Sequence, residues 1–349
     1  MKSIIGLFSL FFLCAFMLES CMSVIILDVV KPADVDIPSD VVTFSIVQRN
    51  EAPEGKGLAK NWEGFLSGEG IGVDKRSAEY ATLGLKFGLI KYARFTAKQA
   101  SVNEQLYGTG TRKMSELLNW EVIEEICKKN GSEALIVLES FDSGFTTKNY
   151  SPDLTSKVGE GQVVRKEFES RVQVEVYVAW RIYFPQEKRI IDVFDESQTT
   201  KRKEFGKTKR EARRKLPRVE SLVQSVAEDL GIAYAKRISP SKVKLSRPFY
   251  GIGSVGLKLA RVKMLEKDYE GAIEMWDSEF GSTFSKKVKK RTTFNLAVGY
   301  EAKADYKNAI YWAKLSLRYG NKKANGYIRQ LEKRVEEEAR LKKQLEVKK

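Results

Sequence analysis

The chain has 349 residues, no histidine, and cysteine only at Cys14, Cys21 and Cys127. Without imidazole there can be no Ser-His-Asp or Cys-His nucleophile and no His-ligated metal site. Neither a metal nor a cofactor is expected. Two glycine groups, Gly68-Glu69-Gly70-Ile71-Gly72 and Gly108 with Gly110, lack the strand before and the helix after that a dinucleotide fingerprint needs. No P-loop lysine follows either group, so both read as turns. Acidic residues are in deficit: 61 Lys and Arg against 46 Asp and Glu leave a formal charge of +15. Nucleic acid is not the expected partner, because the basic segments lack interleaved aromatics apart from Phe205.

The apolar run Ile4 to Leu18 is also short. A spanning helix needs about 20 residues and a signal core roughly 7–15, so this run reads as a cleaved signal. It ends in Leu18-Glu19-Ser20-Cys21, an aliphatic residue three places before a cysteine and a small residue directly before it. This resembles the lipobox of bacterial lipoproteins, although Glu19 departs from the usual small or aliphatic residue. The resemblance implies cleavage before Cys21, lipid on its sulfur, and a fatty acyl group such as palmitate on the new amino terminus. Cys14 then leaves with the signal, and Cys127 has no disulfide partner. Cys127 reads as a small buried residue on a helix. Met22-Ser23-Val24 lacks both the aspartate of inner-membrane retention and an acidic export run. The implied location is the periplasmic face of the outer membrane.

The length predicts about two domains after the signal. The segmentation is a signal at 1–20, a linker at 21–37, an α/β domain at 38–240, helical repeats at 250–330, and a charged helical tail at 331–349. In the first domain, Val41 to Arg49 reads as a strand and 50–75 as a loop. A helix at 76–93 and a short strand near Phe95 follow. Asn119 is placed to cap a helix carrying Trp120, Ile123, Ile126 and Cys127, which Gly131 ends. Glu133 to Ser140 reads as a buried strand and 145–162 as a loop. Val172, Val174, Val176, Val178, Trp180, Ile182 and Phe184 alternate with largely polar residues in a long strand. It turns at Pro185–Lys188 and returns over Arg189–Thr199. A helix over 219–236 precedes Pro240.

This order predicts an α+β chain: a mixed sheet with helices on one face, followed by an all-α repeat region. Val41–Arg49, Gly131–Ser140, the hairpin 172–199 and Leu222–Pro240 resemble the α/β domain of the curli-secretion lipoprotein, of the amino-terminal region of TolB, and of lipoprotein activators of penicillin-binding proteins. The curli-secretion likeness implies an alternative function, a subunit of an oligomeric outer-membrane pore built from the long hairpin. Asp192, Asp195 and Glu196 interrupt the apolar face of the returning strand and argue against it.

In the second domain Leu259-Ala260, Asp268-Tyr269 and Ala272-Ile273 recur as Leu296-Ala297, Asp305-Tyr306 and Ala309-Ile310, each 37 positions on. The pattern resembles tetratricopeptide repeats, whose period is about 34, with small residues where paired helices touch. The likeness implies packing by Leu259, Ala260, Tyr269, Ala272, Leu296, Ala297, Tyr300, Tyr306 and Ala309. It places the three extra residues in a loop from Gly281 to Lys287, and it implies a groove for a partner peptide.

A basic segment carries Lys201, Arg202, Lys203, Lys207, Lys209, Arg210, Arg213 and Arg214. It reads as a solvated loop and helix start, or as a docking surface for anionic lipid or lipopolysaccharide. Glu139 and Asp142, the candidate acid-base pair, read as solvated residues at a strand end. The whole arrangement resembles envelope lipoprotein families of Gram-negative anaerobes and carries no implied chemistry. The expected function is a non-catalytic, lipid-anchored adaptor for another envelope protein.

Overall fold

The computed structural model describes residues 22–53, 73–152 and 167–346. The lipobox with Cys21 and the glycines of 68–72 lie outside them. The described chain forms strands β1 (Met22–Lys31), β2 (Thr43–Gln48), β3 (Thr96–Gln99), β4 (Ala134–Tyr150), β5 (Phe168–Phe184), β6 (Arg189–Gly206) and β7 (Ser241–Tyr250). Its helices are α1 (Val73–Tyr92), α2 (Trp120–Asn130), α3 (Lys209–Lys215), α4 (Val219–Ile238), α5 (Val255–Leu265), α6 (Tyr269–Ser282), α7 (Lys286–Ala302), α8 (Tyr306–Arg318) and α9 (Lys323–Leu345). They make an α+β chain, a mixed sheet with helices followed by a run of helices. The chain divides into two compact units. One comprises Ala33–Ser241 with the last residues from Gln344; the other comprises the described residues up to Pro32 with Lys242–Lys343.

The sheet unit holds five strands in the order β3-β2-β4-β5-β6. β2 runs parallel to β3 and β4, while β4, β5 and β6 are antiparallel. Strand alternation sends Phe44, Ile46, Ile136, Leu138 and the even-numbered residues Val172 to Phe184 to one face, where α1 and α4 cover them. The two helices meet through glycine. A Cβ at Gly231 would lie 2.0 Å from the Ala81 carbonyl oxygen, and one at Gly84 would lie 2.1 Å from that of Glu228. Trp180 stacks on Tyr234 with ring centroids 5.1 Å apart. Tyr234 donates to Asp192, which Arg237 also pairs, so the carboxylate that interrupts the returning strand is satisfied at the edge of the core. The short α2 adds a smaller layer on the opposite face, with Ile123, Ile126 and Cys127 against Val47, Leu135, Val137 and Tyr183.

Local signals account for most boundaries. Gly131 takes φ 60° and closes α2, and Asn119 is the N-cap residue, although its side chain makes no capping bond. Lys188 takes φ 46° at the hairpin turn. Three segments differ from expectation. The supposed loop from residue 145 is strand as far as Tyr150, because β4 stays paired with β5 to that point. β6 continues past Thr199 to Gly206, carrying Lys201, Arg202 and Lys203 on a strand rather than a loop. Residues 22–31, taken as linker, form β1, which pairs with β7. Its run of apolar residues hides a period of two: Ile25 and Leu27 are buried while Val24 and Ile26 are exposed.

The helical unit packs α5 to α9 with β1 and β7 around Trp276, Phe249, Leu257, Leu296 and Leu331. Within it Arg247 donates through Nε and Nη2 to Glu301, at 2.6 and 2.8 Å, and the Tyr327 hydroxyl bonds the same carboxylate at 2.5 Å. Burial pushes the Tyr327 phenol well above its ordinary value. The expected tail from residue 331 is the continuation of α9. Leu331 and Arg334 are buried, whereas Val335 is exposed. Arg334 pairs Glu337 and Glu338 on its own helix.

Candidate functional site

The turn and the second helix cap of the two repeats match at an offset of 37 residues. The backbone turns through positive φ at Lys267 and at Ala304. Asp268 then caps α6 by accepting from the Gly271 N–H, and Asp305 caps α8 by accepting from the Asn308 N–H. The Lys263 carbonyl accepts from the Asp268 N–H, and the Tyr300 carbonyl accepts from that of Asp305, both at 2.9 Å. Ala260, Ala272, Ala297 and Ala309 are all fully buried where the helices of each pair approach. Tyr269, Tyr300 and Tyr306 are half-buried against the same core. The loop expected from Gly281 to Lys287 is narrower, running over residues 283–285. Gly281 lies in α6, and Lys286 and Lys287 already belong to α7.

One expected packing residue has a different place. Leu296 is fully buried, but Leu259 is 54% exposed. Val255 and Val262, at helical spacing with Leu259, are 74% and 49% exposed. They form one apolar stripe along α5. The cause is position in the stack. In the second repeat this face lies against the preceding helices, and α5 has no preceding repeat. Terminal repeats in such arrays ordinarily end in a polar face; this one ends in Val255, Leu259 and Val262. Beside the stripe lies a shallow depression of about 360 Å³, lined by Leu259 and Met275 and bordered by Glu274 and Glu279. The Glu279 carboxylate lies over Gly256, 2.0 Å from where a Cβ would stand. The surface suits an apolar helix or segment flanked by basic residues.

The basic segment is not one surface. Lys207, Lys209, Arg210, Arg213 and Arg214 are exposed around α3, whose Ala212 is buried. Lys201, Arg202 and Lys203 lie on β6, where strand alternation separates Arg202 from its neighbours. Arg202 turns back to Thr200 Oγ1 and the Lys201 carbonyl. Lys203 stands directly across from Arg171, which stands directly across from Lys148. This gives a row of three cations on one face, beside Lys201. The row borders a depression of about 540 Å³ that no carboxylate among the described residues lines. Arg171 pairs Glu169 and covers the Tyr150 ring; Lys148, Lys201 and Lys203 have no opposite charge among the described residues. Lys148 and Arg171 were not singled out in the sequence, because only strand register brings them beside residue 203.

Glu139 and Asp142 are not solvated strand-end residues. Glu139 is fully buried at a bulge in β4. Arg49 Nε donates to its Oε2 at 2.6 Å, and Arg181 Nη1 donates to its Oε1 at 2.9 Å. The Tyr183 hydroxyl also donates to Oε1, at 3.0 Å. Two guanidinium groups and one phenol thus converge on this carboxylate. Asp142 pairs Arg112 at 2.8 Å. Cys127 is buried, and burial raises its thiol pKa. Among the described residues no group of three His, Cys, Asp or Glu could hold a metal ion.

The chain belongs to the family described as a domain of unknown function, DUF8603, which matches residues 41–250 and so more than half of its length. Residues 258–343 match a second family, the domain of unknown function DUF6340. No curated protein matches the chain. A neuraminyllactose-binding hemagglutinin homologue from Helicobacter pylori is 9% identical, over 59% of this chain and 87% of its own, with a TM-score of 0.25. A dodecameric PelC variant from Paraburkholderia phytofirmans is 10% identical, over 63% of this chain and 99% of its own, with a TM-score of 0.23.

Proposed function

We propose that the chain is a non-catalytic, lipid-anchored adaptor of the bacterial cell envelope. Cys21 carries the lipid, and the first helical repeat receives an apolar segment of another envelope protein. One observation carries the reading: α5 exposes Val255, Leu259 and Val262 where a terminal repeat is ordinarily polar. Contiguous apolar surface of this kind is the common mark of a protein interface. Glu274 and Glu279 at its border favour a partner segment with Lys or Arg beside its apolar face. The non-catalytic part rests on the absence of histidine and on the neutralisation of Glu139 by Arg49 and Arg181. The pore alternative is disfavoured, because the apolar face of β5 is occupied by the core under α1 and α4.

The test is a photo-crosslinking residue at Leu259, introduced in intact cells, with a second at exposed Ala233 on α4 as control. Capture of one protein at Leu259 alone, lost when Val262→Lys is added, supports the adaptor. Equal capture at both positions, or capture that survives Val262→Lys, removes the repeats from the function.

A further inference from the structure

β6 is an edge strand of 18 residues, and among the described residues only β5 pairs with it. Its pairing with β5 runs without a break from Asp192 to Gly206; the one irregularity lies before Asp192, between Ile190 and Asp192. An unpaired edge of this length is a template for another strand. Its charges are divided along its length. Asp195 and Glu196 precede a neutral stretch, Ser197-Gln198-Thr199-Thr200, and Lys201, Arg202 and Lys203 follow it. All five charged residues are exposed, and none is paired with an opposite charge among the described residues. The Tyr177 hydroxyl donates to Asp195.

We propose that β6 pairs with β6 of a second copy, antiparallel about a two-fold axis at Thr199. A two-fold axis normal to a sheet keeps each residue on its own face, so directly opposed residues must differ in number by an even count. Centring on Thr199 sets Glu196 opposite Arg202 of the other copy and Asp195 opposite Lys203, and each pair forms twice. Centring on Gln198 leaves Glu196 facing Thr200 and joins only Asp195 to a cation, so the Thr199 register is favoured. The same register answers the row Lys148–Arg171–Lys203. Like charges directly opposed across strands are destabilising, and here Asp195 of the second copy extends the row on the same face with the missing negative charge. A parallel arrangement in register would instead stack Arg202 on Arg202 and Glu196 on Glu196. The inference is independent of the adaptor reading, since it concerns another unit of the chain and needs no other protein.

The test uses the full-length chain in mild detergent, with self-association followed by sedimentation velocity over a dilution series. Glu196→Lys and Arg202→Glu each weaken association about tenfold, from loss of two cross-strand ion pairs and gain of two repulsions; the double exchange restores it. In a Cys127→Ala background, Thr199→Cys forms a disulfide with itself. Opposed Cα atoms lie about 4.5–5.5 Å apart, within disulfide reach. Asp195→Cys does not crosslink to itself, because eight residues of strand separate the two sites by about 26 Å, but it does crosslink to Lys203→Cys. Three results overturn the proposal: a monomer at every concentration, association indifferent to the charge exchange, or self-crosslinking of Asp195→Cys. The first, joined to binding of anionic vesicles that Lys203→Glu abolishes, would assign the cation row to lipid instead.

Discussion

Leu259 and Leu296 occupy the same position of successive repeats, 37 residues apart, yet one is half-exposed and the other fully buried. The same residue type in the same local sequence therefore has two different energetic roles. Leu296→Ala is expected to cost about 2–5 kcal/mol, the range for truncating a buried leucine. Leu259→Lys is expected to change stability by less than about 0.5 kcal/mol, as exposed substitutions do. Urea unfolding of the two variants checks the difference. Equal destabilisation would mean that Leu259 is covered within the protein.

Glu139 makes the second expectation. Glu139→Gln preserves shape but leaves Arg49 and Arg181 buried with no negative charge between them. Breaking a buried ion pair from one side costs about 3–5 kcal/mol. An unfolding free energy from chemical denaturation that falls by this amount supports the structural role. A stable Glu139→Gln protein would show that the cluster is not held by charge.

The glycines between α1 and α4 give a third. Gly231→Ala raises helix propensity, so an isolated α4 would gain about 1 kcal/mol. In the folded protein the new Cβ lies 2.0 Å from the Ala81 carbonyl oxygen and 2.6 Å from the Leu85 nitrogen. Net destabilisation of about 1–3 kcal/mol is expected, since overpacking wins over propensity. A stabilised variant in thermal unfolding would contradict the close approach of the two helices.

Asp268 gives a pH dependence. The Gly271 N–H, and then Lys263, hold its carboxyl below the usual carboxylate range. Its folded pKa is thus depressed below the unfolded value of about 3.9. The stability it contributes is present above the unfolded pKa and is lost as pH falls through the folded one. Asp268→Asn keeps a capping oxygen without the charge. The difference in melting temperature between wild type and this variant should narrow on acidification below about pH 4. A difference that widens there would reverse the assignment.

The repeat was legible because it is local. Asp268 and Asp305 cap the next helix within one turn, three residues on, and Ala260 and Ala297 mark close contact between helices adjacent in sequence. The strand Val172–Phe184 was legible for the same reason, its period of two being uninterrupted. β1 was not, since Ile25 and Leu27 are distinguished from Val24 and Ile26 only by the face of the strand that packs on the helical core, whose residues lie more than 200 positions away. Glu139 was misplaced because a carboxylate near a strand end is ordinarily solvated; its two arginines come from β5 and from Arg49, just past the end of β2.

Residue type and short spacing were enough for the α+β order, the 37-residue helical repeat, the absence of imidazole chemistry and the division of charge along β6. Long-range packing set the exposure of Leu259, the meeting of Lys148 and Arg171 with Lys203, and the pairing of Glu139 with two guanidinium groups. Those outcomes depend on which strands become neighbours and where a stack of helices stops. Neighbours are chosen by burial of the whole core, and no local window of sequence contains that sum.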